Sequence, residues 1–206
     1  RHLVVTTAAS AGQGRWGQVM FGIIHDNVVE DCMAGGAGRS YAYEMHGTGQ
    51  HLLWANNIAN GCYSFMRIEG GSDSQVIGGG CNGYAFQGLI IGGTGNTVRN
   101  IKITGVHLNN YTAEVAGGAA IRFETTTLLE GVTVDKVTAN KVSVGSDGFA
   151  FSMGASTTAR NNVIRGVHAN AGDVESTGSG TAFASGIVGG VAFEDCDLYG
   201  WRTPYN

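Results

Sequence analysis

Asn100-Ile-Lys-Ile-Thr-Gly-Val106 places apolar residues at Ile101, Ile103 and Val106, with a small polar corner between the last two. The same shape returns at Gly131-Val-Thr-Val-Asp-Lys-Val137, Ile164-Arg-Gly-Val167 and Phe193-Glu-Asp-Cys196. Towards the N-terminus, Val29-Glu-Asp-Cys32 fits it, Ala59-Asn-Gly-Cys62 fits loosely and Gly78-Gly-Gly-Cys81 fits poorly. Aligned on their last residues, these segments recur at about 30-residue intervals with two shorter steps, which is the signature of a solenoid.

Each segment is short, alternating and β-branched, which reads as strand. A second apolar run follows each corner: Tyr41-Ala-Tyr-Glu-Met, Tyr63-Ser-Phe-Met-Arg-Ile-Glu, Tyr84-Ala-Phe-Gln-Gly-Leu-Ile-Ile, Ala120-Ile-Arg-Phe-Glu, Phe149-Ala-Phe-Ser-Met and Ala182-Phe-Ala-Ser-Gly-Ile-Val. Glycine interrupts almost every window that could carry a helical period. The expected fold is therefore all-β: a single-stranded parallel β-helix of about seven coils, forming one domain over residues 1–206. Seven coils at the ~4.8 Å strand spacing make a rod roughly 30–35 Å long. Its two end coils expose strand edges that favour aggregation of the isolated chain.

Composition agrees with tight corners and a stacked core. Glycine is 35 of 206 residues, proline occurs once at Pro204, and 43% of residues are hydrophobic against 14% charged. Collagen is excluded because no Gly-X-Y period exists, and disorder is disfavoured by the high hydrophobic and low charged content. With a net charge of −4 and no Lys/Arg run, nucleic acid is not an expected partner. No apolar stretch approaches the length of a membrane span, so membrane insertion is not expected. The chain reads as part of a longer protein.

Cys32, Cys62, Cys81 and Cys196 align with Val106, Val137 and Val167, so they read as buried free thiols. No Cys/His spacing suggests zinc, and neither a metal nor another cofactor is expected. Gly12-x-Gly14-x-x-Gly17 nominally matches a dinucleotide fingerprint, but no helix follows it.

The densest polar chemistry lies in the first two coils and includes Glu44, His46, Arg67 and Glu69. Aligning Tyr41/Tyr43 with Met66/Ile68 makes Glu44 and Glu69 vertical neighbours on the outer face, with Arg67 beside them. Two close carboxylates can hold different pKa values, as an acid/base pair requires. Arg122, Glu124 and Asp147 form a second candidate cluster, beside loops 109–118, 140–148 and 170–180 on one side of the rod. Exposed aromatics, Trp54, Tyr63 and Tyr111, are candidates to stack on sugar rings.

The repeats Asn96-Thr-Val-Arg-Asn-Ile-Lys-Ile-Thr-Gly-Val106 and Leu128-Leu-Glu-Gly-Val-Thr-Val-Asp-Lys-Val137 resemble the right-handed parallel β-helix repeats of the pectate-lyase-like superfamily. The glycine-rich, lysine-poor style with Asn27-Val-Val-Glu-Asp-Cys32 resembles the β-helices of bacteriophage tailspikes and capsule depolymerases. The resemblance covers nearly the whole chain and implies a domain active on bacterial surface polysaccharide, often a homotrimer, on a virion tail or cell surface. Asn-Thr-Asp, Gly-His-Gly and Arg-Ile-Lys of the polygalacturonases are absent, as is Asp-Pro-His of the alginate epimerases. No catalytic residue therefore transfers by motif. The favoured expectation is glycoside hydrolysis by Glu44 and Glu69 with Arg67 positioning them. The alternatives are a polysaccharide lyase, a non-catalytic glycan-binding β-helix, and a structural shaft or decoration element.

Overall fold

The computed structural model describes residues 4–5, 14–15, 22–32, 41–47, 49–112, 118–124, 126–141, 149–153, 158–171, 183–184 and 190–200. Among them there is no helix and every strand pairing is parallel. The fold is a parallel β-solenoid.

Its repeating device is an elbow of one left-handed residue followed by one buried or half-buried residue. The left-handed residues are Asp26, Asn56, Gly78, Gly105, Lys136, Gly166 and Asp195, with φ between 49° and 68°. Those from Asp26 to Gly166 each donate the N–H to the following coil, as in Gly105 N to Asp135 O at 3.1 Å. Gly, Asn and Asp enter this region at little cost, which is why the corner reads as small and polar in sequence. The residues after the elbow are Asn27, Asn57, Gly79, Val106, Val137, Val167 and Cys196, and the backbone pairs them in that order.

That column corrects the sequence alignment in the first three coils. The equivalents of Val106 are Asn27, Asn57 and Gly79, not Cys32, Cys62 and Cys81. Cys32 pairs with Cys62 and then Tyr84, Cys81 lies between Ala59 and Leu108, and Cys196 alone shares the column of Val167. The Glu-Asp-Cys likeness between residues 30–32 and 194–196 is thus coincidental. Sequence matching failed because the early corners carry asparagine and glycine where the later ones carry valine. Those asparagines are internally satisfied: Asn27 Nδ2 donates to Asn57 Oδ1 at 2.7 Å, and Asn57 Nδ2 donates to Ile24 O at 2.9 Å. Cys62 and Cys81 are buried free thiols and Cys196 is a half-buried one.

Three faces surround the core. The first stacks Val4–Val5, Val28–Cys32, residues 58–62, residues 80–84, His107–Tyr111, Thr138–Asn140, His168–Asn170 and Asp197–Tyr199. The second stacks Gly22–His25, Leu52–Ala55, residues 74–77, residues 101–104, Thr133–Asp135, Asn162–Arg165 and Val191–Glu194. The third stacks Gly14–Arg15, Tyr41–Met45, residues 64–68, residues 87–91, Ala119–Phe123, Phe149–Met153 and Phe183–Ala184. Gly14 thus belongs to a strand rather than to a nucleotide-binding turn, while Gly12 and Gly17 lie outside the described residues.

The inward columns build one continuous apolar core. Val29, Ala59, Leu108, Ala139 and Ala169 line it from the first face, and Ile24, Val76, Ile103, Val134 and Ile164 from the second. Trp54 belongs to this second column and is only 1% exposed. It packs edge-on to Tyr43, with ring centroids 6.3 Å apart. Tyr111 is likewise buried, against Tyr84, and its hydroxyl accepts from Gly118 N at 3.3 Å. Neither can stack on a sugar as the sequence suggested. A large ring at an inward strand position is drawn into the core by the area it removes from water.

Candidate functional site

On the third face the ladder places Glu44 opposite Arg67, Arg67 opposite Ile90, and Ile90 opposite Arg122. Glu44 and Glu69 are therefore not vertical neighbours, and the alignment expected from sequence is displaced by two residues. Tyr43 pairs with Met66 and Met45 with Ile68, which sets Tyr41 against Ser64 and Ser64 against Gln87. Ser64 and Gln87 are both fully buried. An alignment that maximises apolar matches avoids such a polar column, and this is why it slipped.

The outward side of this face carries two adjoining columns. One is Glu44, Arg67, Ile90 and Arg122. The other is His46, Glu69, Gly92 and Glu124, which follow the strand ends in register, as Glu69 N to Met45 O, Gly92 N to Ile68 O and Glu124 N to Ile91 O show. Side chains two residues apart on a strand share a face, so the columns meet.

They meet at one guanidinium. Arg67 Nη1 lies 3.5 Å from Glu44 Oε1, and Arg67 Nη2 lies 3.3 Å from Glu69 Oε1 and 3.1 Å from Glu124 Oε2. Arg122 Nε adds a contact of 3.7 Å to Glu124 Oε1. His46 Nδ1 touches Glu69 Oε2 and is 3.8 Å from Glu44 Oε1. A planar fork of donors suits this simultaneous bridging, which a lysine ammonium could not reproduce. The glycines of the intervening coil make it possible. A Cβ on Gly93 would come within 2.5 Å of Glu69 Cγ and 3.2 Å of Arg67 Nη2, while one on Gly92 would meet Thr126 Cγ2 at 2.5 Å.

Accessibility grades the members. Glu44 is 1% exposed, Glu69, Glu124 and Arg67 are 12–14% exposed, Arg122 is 31% exposed and His46 is 45% exposed. Glu44 holds the guanidinium from below, while Glu69, Glu124, His46 and Arg122 form the reachable rim.

Aromatic rings continue the rim. Tyr63 stacks on Phe86 with centroids 5.5 Å apart, and the Arg122 guanidinium lies 5.8 Å over the Phe86 ring. Arg67 likewise sits 5.2 Å over Tyr41. Tyr63 and Phe86 are half-buried. They lie where the ladder shifts register after Cys62, and such irregularities re-aim side chains. Phe86 had no signal in the sequence beyond being apolar.

The structure thus unites Glu44, His46, Arg67, Glu69, Arg122 and Glu124, read from sequence as two clusters, and keeps Tyr63 beside them. Asp147, with the loop residues Glu114, Asp173 and Glu175, lies outside the described residues. Glu44, His46 and Glu69 offer donor atoms within 4.8 Å of one another, the set that could ligate a cation. Arg67 already supplies positive charge to two of those carboxylates.

Comparison with protein-family models, curated proteins and solved structures found no match.

Proposed function

We propose that this solenoid acts on polysaccharide, hydrolysing a glycosidic bond at the third-face cluster. Glu69 and Glu124 flank one nitrogen of Arg67, beside Gly93, where a Cβ would press on both Glu69 and Arg67, and this arrangement carries the reading. Glu69 comes from one coil and Glu124 from the second coil beyond it. Two coil steps separate their backbones by roughly 9.6 Å. The side chains converge from there on the one Arg67 nitrogen, at 3.3 Å and 3.1 Å, so the carboxyl groups stand nearer the ~5–5.5 Å of a retaining pair than the ~6.5–9.5 Å of an inverting one.

In that reaction one carboxyl group gives its proton to the glycosidic oxygen as the bond to the anomeric carbon breaks. The other bonds to the anomeric carbon from the opposite side, and water, giving a proton to the first carboxylate, then displaces it to free the sugar. Glu44, too buried to reach substrate, fixes Arg67, and Arg67 fixes the reacting pair. Tyr63, Phe86 and Arg122 form the wall against which a sugar ring packs, and His46 borders the open side. The pectate-lyase-like and tailspike affinities, a homotrimer and a place on a virion tail enter this proposal from the repeat resemblance alone.

Incubation with a panel of bacterial capsular and O-antigen polysaccharides tests it. New reducing ends of retained anomeric configuration, without the ultraviolet absorbance of an unsaturated sugar, are expected. Glu69→Gln and Glu124→Gln each remove at least ~10²-fold of the rate, whereas Glu44→Gln lowers it less by loosening Arg67. Absorbance of an unsaturated product overturns the hydrolase in favour of a lyase. Cleavage that survives both substitutions moves the reaction away from this cluster.

A further inference from the structure

Among its described residues the first face carries no comparable charge cluster, yet it holds a groove of about 380 Å³. Its outward columns run Val28, Ile58, Gly80, His107, Thr138, His168 and Glu30, Asn60, Asn82, Asn109, Asn140, Asn170. The first column is broken at Gly80. A Cβ there would collide with the His107 carbonyl, and φ is +150°, so the position is closed to any other residue. The break leaves a slot one coil wide, with Ile58 on one side, His107 on the other and the glycine backbone as floor.

The slot has the dimensions and chemistry for one saccharide ring. Ile58 and His107 stand two coil steps apart, roughly 9.6 Å, and a ring in van der Waals contact with both walls needs about 3.5–4 Å on each side. Ile58 is 44% exposed, an apolar wall left open to solvent. His107 is held in place by its Nδ1 contact to Thr138 Oγ1 at 2.6 Å. Alongside the slot stand three amides, Asn60, Asn82 and Asn109. Asn110 Nδ2 donates to Asn82 Oδ1, and Asn140 Nδ2 donates to Asn109 Oδ1 at 3.0 Å. These bonds orient the amides and keep the Nδ2 donors of Asn82 and Asn109 available to an incoming hydroxyl. Among the described residues that line the groove there is no carboxylate or guanidinium, so a neutral, hydroxyl-rich ligand fits it better than a charged one.

We infer that this asparagine-lined slot is a binding site for a neutral glycan unit, separate from the charged third-face cluster. A ring packs its C–H face on Ile58 and its other face on His107, while the amides donate to adjacent hydroxyls. The site stands independently of the proposed hydrolysis. A nucleobase is the competing flat ligand, and the −4 net charge of the chain disfavours its phosphate.

Saturation-transfer NMR on the 206-residue chain decides it, using the methyl glycosides of glucose, galactose, mannose, rhamnose and N-acetylglucosamine, with uridine and adenosine as the nucleobase arm. At least one glycoside is expected to bind. Asn82→Ala and His107→Ala, each with an unchanged melting temperature, should weaken that binding at least tenfold, and Glu69→Gln should leave it intact. If a variant loses stability, Ile58→Thr serves as the second probe, with the same loss expected. The inference is overturned if no glycoside binds, if only a nucleoside binds, or if binding survives the substitutions. Binding without cleavage of any polysaccharide would retain this site and remove the hydrolase, while cleavage without slot binding would do the reverse.

Discussion

Arg67 and Glu124 stand 57 residues apart in the chain and two coils apart in the stack, yet Arg67 Nη2 lies 3.1 Å from Glu124 Oε2. The guanidinium crosses the intervening coil beside Gly93, where a Cβ would stand 3.2 Å from Nη2. It serves three carboxylates from three coils, so its removal leaves Glu44, Glu69 and Glu124 crowded and largely withheld from water.

Arg67→Met should therefore destabilise the fold by up to about 3 kcal/mol, since breaking a mostly buried pair leaves uncompensated charge. Urea unfolding measures this directly. Adding Glu44→Gln to Arg67→Met should recover part of the loss, giving a coupling of roughly 0.5–3 kcal/mol in a double-mutant cycle. Additive effects would mean that the two residues do not interact.

Asn162 is the second polar residue on which packing depends. Its Oδ1 accepts from Val132 N at 2.9 Å, and its Nδ2 lies 3.0 Å from Leu129 O and 3.1 Å from Gly190 O. It is 2% exposed. Asn162→Ala should cost roughly 1–3 kcal/mol by leaving buried backbone groups unpaired. Hydrogen exchange should locate the damage, with Val132 N–H losing protection while Ile103 N–H keeps it.

Lys136 occupies an elbow that glycine holds one coil before and one coil after, at Gly105 and Gly166, with φ +52°. Its side chain is exposed and its Cβ is strained in the left-handed region. Lys136→Gly should raise stability by roughly 0.5–1 kcal/mol, the relief of that strain less the entropy glycine adds to the unfolded chain. For a chain of this size the melting temperature should rise by about 1–4 °C. A fall would show that Lys136 makes a contact worth more than the strain.

Glu130 lies between Arg99 and Arg160, 2.9 Å and 2.6 Å from their Nε atoms. The Arg160 hydrogen bond, with Arg99 adding to it, holds the Glu130 carboxyl below its ordinary value of 4.5. The folded state thus binds this proton less readily than the unfolded state. Its stabilising contribution is present above that value and lost as pH falls through the lower folded value. Glu130→Gln should flatten the acid limb of stability in this window, measured as the urea midpoint against pH. The difference should shrink in high salt, because the pair is exposed to solvent.

The alternating apolar segments, the small polar corner after them and their recurrence carried the solenoid on their own. A corner that must enter the left-handed region favours Gly, Asn or Asp, with Lys136 the exception among the described elbows, and an inward strand position favours an apolar residue. Both demands are local, so both are written in the local sequence. The identity of the charged residues was legible too, because Glu44, His46, Arg67, Glu69, Arg122 and Glu124 are unusual in a weakly charged chain.

Their grouping was decided by the stack. Register on the third face turns on the buried Ser64 and Gln87, whose polar side chains give no hydrophobic signal, so an apolar alignment places Glu44 against the wrong partner. The inward burial of Trp54 and Tyr111, the placement of Phe86 at the ladder irregularity and the opening of the groove at Gly80 depend on the neighbouring coils in the same way. A strand's alternation specifies which residues share a side, but only backbone pairing with the coils above and below specifies which of them meet.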